Sequence, residues 1–246
     1  MARSPSARSP STRSGKAKNT AAKDTAAKST ETSADSRVLI LDAFLALLAE
    51  KGFETISLSE VAQRVGVPLG ELRAAYGSTF DMLAAFIKRT DTKVLSAGGG
   101  DMDDQPARDR LFDVLMRRLD ALAPYKAVIR SLAKSAKRNP LLALGLNRLS
   151  VRSQQWMLAE AGIDTSGLGG AVRAQGLVVV FTKVLRTFVH DDDPGLARTM
   201  SALDRELAKG ERALGLLHDV CRLATCGRGG SRRTSSDAEP EAPVAA

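Results

Sequence analysis

The stretch from residue 57 to residue 80, SLSEVAQRVGVPLGELRAAYGSTF, constrains the fold of this chain more than any other. Ser57 followed by Glu60 is a capping box, a pattern that satisfies free backbone N–H groups at the start of a helix. Gly66 suits the end of that helix, because glycine adopts the left-handed conformation at little cost. Pro68 suits the first position of a second helix, where no N–H donor is needed. Two short helices joined by a tight glycine turn predict a helix-turn-helix, whose second helix can enter the major groove of DNA.

Apolar residues at helical spacing predict the helices on either side of this motif. A first helix is predicted from about Ser36, and a fourth from about Thr79 to Leu95. The side chains expected to pack the four helices together are Leu41, Phe44, Leu45, Leu48, Leu72, Tyr76, Met82, Phe86 and Ile87. The sequence therefore predicts a unit of three helices that leads into a fourth.

Three segments follow one another between Ser36 and about Arg89, namely ILDAFLALLAEKGF, SLSEVAQRVGV and ELRAAYGSTFDML. In this combination the chain resembles the TetR family of bacterial transcriptional regulators. The resemblance implies a DNA-binding domain at residues 37–96 and a helical domain for ligand binding and dimerisation at residues 105–226. It also implies a homodimer that binds double-stranded operator DNA and releases it when a ligand enters the helical domain, as a ligand-responsive repressor does.

The same resemblance indicates which residues would face DNA. They are Ser57, Arg64, Pro68, Leu69, Glu71, Arg73, Ala74, Tyr76 and Thr79. The family commonly has serine or threonine where Pro68 stands, a small hydroxyl residue where Glu71 stands and lysine where Thr79 stands. On the second helix of the motif only Arg73 can donate to a phosphate or to guanine. Glu71 would repel phosphate unless it accepts a hydrogen bond from a cytosine amino group.

The rest of the chain predicts further helices and no convincing strand, so the expected fold class is all-α. The segment 172–190 is rich in β-branched residues, which permits a strand, but its length and its helical neighbours favour a buried helix. Asp193 before Pro194 predicts the cap of the next helix, and Gly210 predicts its end. The predicted helices are Asp109–Leu122, Tyr125–Lys137, Asn139–Ala161, Val172–His190 and Leu196–Lys209, followed by a last one to about Ala224.

Large apolar side chains in these helices are candidates for a ligand pocket. TetR-like proteins usually hold an apolar cavity in this part of the fold, and the resemblance therefore implies a pocket lined by Phe112, Met116, Trp156, Phe181 and Phe188. Helical spacing by itself favours core packing as the role of each of these residues. Because these helices offer few unpaired charges, the expected ligand is a hydrophobic small molecule or lipid, such as an acyl or isoprenoid chain.

Two of the helices carry more apolar surface than one helix pair needs. The segments Val172–His190 and Leu196–Lys209 are therefore predicted to pair with their copies in a second chain, as the family resemblance implies. The side chains expected at this four-helix interface are Val178, Val180, Leu196, Met200 and Leu203.

A second resemblance covers about forty residues around LRTFVHDDDPGLARTMSALDRELAKGE. This run looks like the last domain of the TetR-fold accessory proteins of ubiquinone biosynthesis, which bind lipids rather than DNA. It implies an alternative function, a lipid- or quinone-binding accessory protein with a vestigial helix-turn-helix. The departures in the second helix of the motif fit that alternative.

The basic excess of the chain is concentrated at its N-terminus. The whole chain has a formal net charge of +8. Residues 1–38 hold eight basic and three acidic residues, a net +5, whereas residues 37–89 hold six of each sign. Residues 1–36 and 227–246 contain too few apolar side chains to bury and are predicted to be disordered tails. A basic disordered arm could add affinity for a phosphate backbone.

Several function classes find no support in the sequence. Cys221 and Cys226 are expected on different faces of a helix, and we interpret them as reduced thiols of a cytoplasmic protein. His190 precedes three aspartates, but Asp193 before Pro194 is a capping signal, so neither a metal site nor another cofactor is expected. No catalytic triad can be assembled from the residue types present. The longest apolar run is interrupted by Lys183 and Arg186, so no transmembrane segment is predicted.

Overall fold

The computed structural model describes residues 34–98 and 104–226, with side chains described as far as residue 213. Within these ranges the chain is helical and has no strand. The first helix, α1, occupies residues 34–50 of the described chain. The helices that follow are α2 (Leu58–Val65), α3 (Leu69–Ala75), α4 (Thr79–Ser96), α5 (Ala107–Leu122), α6 (Lys126–Arg138), α7 (Pro140–Glu160), α8 (Gly167–Phe188) and α9 (Ala197–Cys226). The all-α prediction is confirmed.

Helices α1 to α3 and the start of α4 form one packed unit, which we call the head. The predicted stripe of α1 is buried along its whole length, and so are Leu72 and Tyr76 of α3. Val61 and Ala62 of α2 are buried in the same unit. The apolar spacing in the sequence therefore predicted the packing of the head correctly.

The remainder of α4 packs with α5 to α9, and we call this second unit the bundle. The leucines of α5, which follow at helical spacing, are buried throughout, namely Leu111, Leu115, Leu119 and Leu122. Hydrogen bonds and close packing join head and bundle. The Ser131 hydroxyl donates to the Lys51 carbonyl at 2.7 Å, and the backbone N–H of Phe53 donates to the Ser135 hydroxyl at 3.1 Å. A Cβ built on Gly145 of α7 would lie 2.8 Å from the Phe80 ring, so α7 approaches the start of α4 closely.

Helix α8 begins one turn earlier than predicted. The glycine run 167–170, expected as a junction, forms its first turn. Gly170 packs so tightly against the preceding segment that a Cβ there would lie 2.1 Å from the carbonyl of Thr165. Local composition suggested a loop at these glycines, whereas the close approach of the Thr165 backbone is what requires Gly170.

Helix α9 differs from its prediction at its start and at Gly210. It begins at Ala197 rather than at Pro194, because the Asp193 carboxylate accepts from the N–H groups of Gly195 and Ala197 and shapes a turn. The Asp191 carboxylate accepts from both the N–H and the hydroxyl of Thr199, at 2.8 and 2.7 Å. The helix then passes through Gly210 without a break.

Gly210 therefore has a packing role and does not end the helix. A Cβ at this position would lie 3.3 Å from a methyl group of Val180 on α8. The missing side chain lets α9 lie close to α8 at this point. Spacing along the sequence predicted a stop signal here because it contains no information about the neighbouring helix.

Helix α8 is long enough and apolar enough to cross a membrane, with a mean hydropathy of 1.4 over its best 18-residue window. In the structure its inner face, including Ala174, Leu177, Val184 and Phe188, is buried in the bundle. Burial of this face accounts for part of the apolar composition of α8, since 39% of that window is buried.

Candidate functional site

The turn between α2 and α3 has the geometry that the sequence predicts. The Ser57 hydroxyl accepts from the N–H of Glu60 at 3.2 Å, which caps α2. Gly66 has φ +81° and closes the helix in the left-handed conformation. The Glu60 carboxylate pairs with Lys51 at 2.5 Å, so only the Ser57 half of the capping box forms. Pro68 is the cap of α3 and not its first residue, because the helix begins at Leu69.

Helix α3 is held by its inner face and by its C-terminal end. Leu72 is only 2 % exposed. The Tyr76 hydroxyl donates to the Arg37 carbonyl at 3.0 Å, and the Arg37 guanidinium donates to the Ala75 carbonyl at 2.6 Å. The same guanidinium lies 4.8 Å from the centre of the Tyr76 ring. Burial raises the pKa of Tyr76, so its hydroxyl stays protonated and able to donate. These contacts fix α3 at the surface of the head.

The outer face of α3 is open to solvent. Leu69 is 53 % exposed, and Glu71, Arg73 and Ala74 are exposed beside it. One guanidinium nitrogen of Arg73 donates to the Gly77 carbonyl at 3.2 Å, a contact that leaves its other N–H groups available. Within the described residues Glu71 forms no salt bridge. All four side chains predicted to contact bases are therefore accessible to solvent.

The other predicted contact residues of the head are partly engaged with the protein itself. Arg64 forms two hydrogen bonds to the Glu50 carboxylate, at 2.6 and 3.0 Å, and both groups are exposed. Thr79 is the first residue of α4, after a cap in which the Ser78 hydroxyl accepts from the N–H of Asp81. The Tyr76 hydroxyl already donates to Arg37. Of the two arginines predicted to contact DNA, Arg73 is thus the one whose guanidinium forms fewer hydrogen bonds within the protein.

The basic N-terminal segment joins the chain beside α3. Arg37 contacts the Ala75 carbonyl and the Tyr76 ring, so the start of α1 lies at the C-terminal end of α3. The predictions of disorder for the two tails fall on residues outside the described ranges, apart from residues 34–36, which belong to α1. Arg37 is therefore the residue through which the start of α1 contacts the C-terminal end of α3.

The five residues predicted to line a ligand pocket do not share one environment. Phe181 and Phe188 are buried in the bundle, whereas Trp156 is 61 % exposed. Phe112 lines an open groove of about 430 Å³ between α5 and α9, where the ion pair of Arg108 and Asp204 is also found. Met116 is partly buried against the core. Trp156 thus stands apart from the buried pair, because its side of α7 faces solvent.

A buried polar cluster, not predicted from the sequence, lies inside the bundle. Arg118 of α5 is 6 % exposed, and its guanidinium lies 2.9 Å from the Asp91 carboxylate of α4. The Ser153 hydroxyl of α7 donates to the same carboxylate at 2.7 Å. The signal in the sequence was a charged residue within the apolar stripe of α5, since Leu115, Arg118 and Leu122 follow at spacings of three and four.

Desolvation dominates the electrostatics of this cluster. Burial raises the pKa of Asp91, although Arg118 and the Ser153 hydroxyl act to lower it. Burial likewise lowers the pKa of Arg118, against the opposing effect of Asp91. Each partner therefore compensates the charge of the other only in part.

Within the residues whose side chains are described, no three His, Cys, Asp or Glu side chains come together as a metal site. His190 is exposed, and the neighbouring Asp191 caps α9. His218, Cys221 and Cys226 have side chains outside the described set.

Comparisons with known proteins find similarity in structure alone. No protein-family model matches the sequence, and no curated protein matches it. The crystal structure of a TetR transcriptional regulator from Nitrosomonas europaea ATCC 19718 is similar with a TM-score of 0.57 and 22% identity, over 72% of this chain and 98% of that one. A TetR regulator from Rhodococcus sp. RHA1 gives 0.48 at 22% identity over 72% and 95% of the two chains. One from Streptomyces coelicolor gives 0.45 at 12% identity over 76% and 99%. The first of these likenesses shows that the chain has a TetR-like fold.

Proposed function

We propose that this chain with a TetR-like fold is a transcriptional regulator that binds double-stranded DNA as a homodimer. The observation that carries the proposal is the exposed face of α3, a short helix held rigidly by Leu72 and Tyr76 at the surface of the head. Presentation of a second helix in this way is how a helix-turn-helix reaches the base edges of the major groove. The likeness to solved TetR regulators supports the same function.

Each exposed residue of α3 has a chemically distinct part in this proposal. Arg73 donates to guanine or to a phosphate, and Leu69 and Ala74 make apolar contacts such as those with a thymine methyl group. Glu71 accepts from a cytosine amino group. The hydroxyls of Ser57 and Thr79, at the starts of α2 and α4, contact the phosphate backbone.

The basic N-terminal segment supplies most of the sequence-independent affinity. Residues 1–38 carry a net +5, whereas residues 37–89 are neutral. In the head, moreover, Arg64 and Lys51 are paired with Glu50 and Glu60. Each phosphate contact adds about 0.9 to the slope of log K against log salt. Loss of the segment should therefore flatten that slope and weaken binding to every sequence alike.

DNA binding by Arg73→Ala tests the proposal directly. The variant should lose about 1–3 kcal/mol of operator affinity and relax the preference at one base pair, measured by fluorescence anisotropy on the chain's own upstream DNA. Arg152→Ala, an exposed arginine on α7, is the matched control and should leave binding unchanged. Deletion of residues 2–36 should flatten the salt slope by several units.

An unchanged salt slope in the deletion variant would contradict a DNA-binding role for the segment. Unchanged operator affinity in Arg73→Ala would contradict the reading role of α3. If both results were found, the lipid-binding accessory protein would become the better account of the chain.

The homodimer is proposed to form through α8 and α9, with a set of residues that shares only Met200 with the predicted one. Val178, Val180, Leu196 and Leu203 are buried within the single chain, because they pack α8 and α9 into their own bundle. The apolar side chains of these helices that remain exposed are Leu168, Val172, Val179 and Met200. The first three follow at spacings of four and seven on α8, which places them on one face.

Charge placed on this face should break the dimer. Val172→Asp with Val179→Asp should give a monomeric mass by light scattering at micromolar concentration and lose operator binding. Leu141→Asp, at a more exposed apolar position on α7, is the control and should remain dimeric. A dimeric mass for the double variant would rule out this face.

We also propose that the regulator responds to a hydrophobic ligand bound in the bundle. Helix α4 supports this coupling, since it begins in the head at Thr79 and is buried in the bundle at Thr90, Asp91 and Val94. A ligand that favours one placement of α4 over another changes the position of α3 in each protomer. Such coupling requires different ligand affinities in the two states.

A further inference from the structure

Four helices of the bundle meet at the Arg118 side chain. The Asp91 carboxylate on α4 lies 2.9 Å from the guanidinium, and the Phe181 ring on α8 lies 5.2 Å from its central carbon. Ser153 on α7 donates to the same carboxylate. Arg118 is thus a cation enclosed between the helix that leads to the head and three helices of the bundle.

The hydrogen bonds of this cluster are incomplete. Guanidinium groups have five N–H donors. Within the described residues, the buried Nε and Nη1 of Arg118 have no hydrogen-bond partner, although Nη1 lies 2.9 Å from the Asp91 carboxylate as an ion pair. A buried donor or acceptor without a partner is destabilising. The opposed pKa shifts of Asp91 and Arg118 agree with a pair that is only partly compensated.

A purely structural ion pair explains only part of this arrangement. It accounts for the charges of Asp91 and Arg118, but it gives neither Nε nor Nη1 of the guanidinium a hydrogen-bond partner. Buried pairs of this kind are often replaceable by apolar side chains without loss of stability. The unused polar atoms therefore point to a further group that binds here.

We propose that the bundle binds an amphipathic ligand with a carboxylate head, which bonds to Arg118 while its apolar tail lies between α4, α5, α7 and α8. The proposal rests on the ligand-responsive function proposed above and names the chemical class of the ligand. A carboxylate matches the planar edge that a guanidinium presents, with two parallel N–H···O bonds. Buried apolar side chains on the same helices, including Leu115 and Met157, form the core against which the tail would lie.

The position of Asp91 links this site to the head. A ligand carboxylate competes with Asp91 for the Arg118 guanidinium, and Asp91 belongs to the helix that begins beside α3. Occupation of the site thus weakens one of the polar contacts that hold α4 against α5. The sequence-based expectation of a hydrophobic ligand is refined here to a hydrophobic ligand with an anionic end.

Two probes with the same tail and different heads test the site in the full-length protein without DNA. Sodium dodecanoate should bind about tenfold more tightly than dodecan-1-ol by isothermal titration calorimetry. Arg118→Met should reduce dodecanoate to the affinity of the alcohol. Arg117→Met is the matched control, because its side chain is partly exposed near Glu160, and it should keep the preference for dodecanoate.

Asp91→Asn provides a test that general destabilisation cannot imitate. This variant keeps an acceptor for Ser153 and removes the negative charge that competes with the ligand, so its affinity for dodecanoate should rise. Weaker binding of dodecanoate by Asp91→Asn would overturn the proposal. Equal affinities for the acid and the alcohol in the wild type would also overturn it, as would equal losses in Arg118→Met and Arg117→Met.

The outcomes separate this site from the proposed regulator. A protein that binds operator DNA but does not prefer dodecanoate keeps its regulatory function and loses the carboxylate site. A protein that prefers dodecanoate through Arg118 but shows no change with Arg73→Ala keeps the site and loses the regulatory function.

Discussion

The head and the bundle place their ion pairs in opposite surroundings. In the head, Arg64 and Glu50 pair at the surface, where water solvates both groups. In the bundle, the side chains of Arg118 and Asp91 are 7% and 10% exposed, and the protein itself must compensate their charges. Exposed pairs contribute little because water competes for them. The buried pair has a much larger effect when it is broken, because a charge left alone there has no solvent to stabilise it.

The two regions also differ in the distance along the chain between interacting residues. The contacts that define the head motif are local, such as the Ser57 hydroxyl with the N–H of Glu60. In the bundle, Ser153 donates to a carboxylate 62 residues away. Local contacts can be predicted from residue spacing, and distant ones cannot. Charges with functional consequences are therefore harder to find in the bundle than in the head.

The largest expected effect comes from breaking the buried pair on one side. Asp91→Ala leaves the Arg118 guanidinium without its carboxylate and should lower the free energy of unfolding by about 3–5 kcal/mol, measured by urea denaturation. The double variant Asp91→Leu/Arg118→Met removes both charges and should be close to the wild type. If the single variant were as stable as the double one, the buried pair would resemble the exposed pairs of the head.

Leu72→Ala should have the next largest effect, and it acts in the head. The residue is 2 % exposed between α3 and the other helices, so its truncation should cost about 2–5 kcal/mol. Leu69→Ala, on the exposed face of the same helix, should change the urea midpoint little. Equal costs for the two leucines would show that α3 is not packed through Leu72.

Ser57→Ala should have a smaller effect, because it removes one capping hydrogen bond from α2. The expected cost is about 1 kcal/mol, seen as a lower urea midpoint. Ser57→Asp keeps an acceptor for the N–H of Glu60 and should restore most of the loss. A variant with aspartate that is no more stable than the alanine variant would show that the cap contributes nothing.

The smallest effect is expected for Glu50→Gln, which tests an exposed pair of the head through its pH dependence. Hydrogen bonds from Arg64 hold the pKa of Glu50 below its ordinary value of 4.5. A lowered carboxyl pKa stabilises the folded state above the unfolded pKa, and this contribution is lost as the pH falls through the folded pKa. The small difference in Tm between wild type and variant at pH 7 should therefore shrink as the pH falls below 4.5 and disappear once Glu50 is protonated in the folded state. A difference that grows on acidification would contradict the assigned pair.

The sequence by itself determined the head. Ser57, Gly66 and the stripe of α1 act through their immediate neighbours, and their spacing indicated helix starts, ends and inner faces correctly. The exposed face of α3 could be predicted for the same reason, since a short helix with Leu72 and Tyr76 buried must turn Arg73 outward. Most helices of the bundle were also found, with boundaries within a few residues.

Tertiary structure alone decided how the bundle is completed. Gly210 was predicted as a helix end, but it lies inside α9, where a Cβ would come within 3.3 Å of Val180. Val178 and Leu203 looked available for a partner chain, but they are buried because α8 and α9 turn those faces toward each other. The pairing of Arg118 could not be predicted from its leucine neighbours, because its partners Asp91 and Ser153 come from distant parts of the sequence. Side-chain spacing determines which face a residue occupies, and only the packing of helices determines what that face meets.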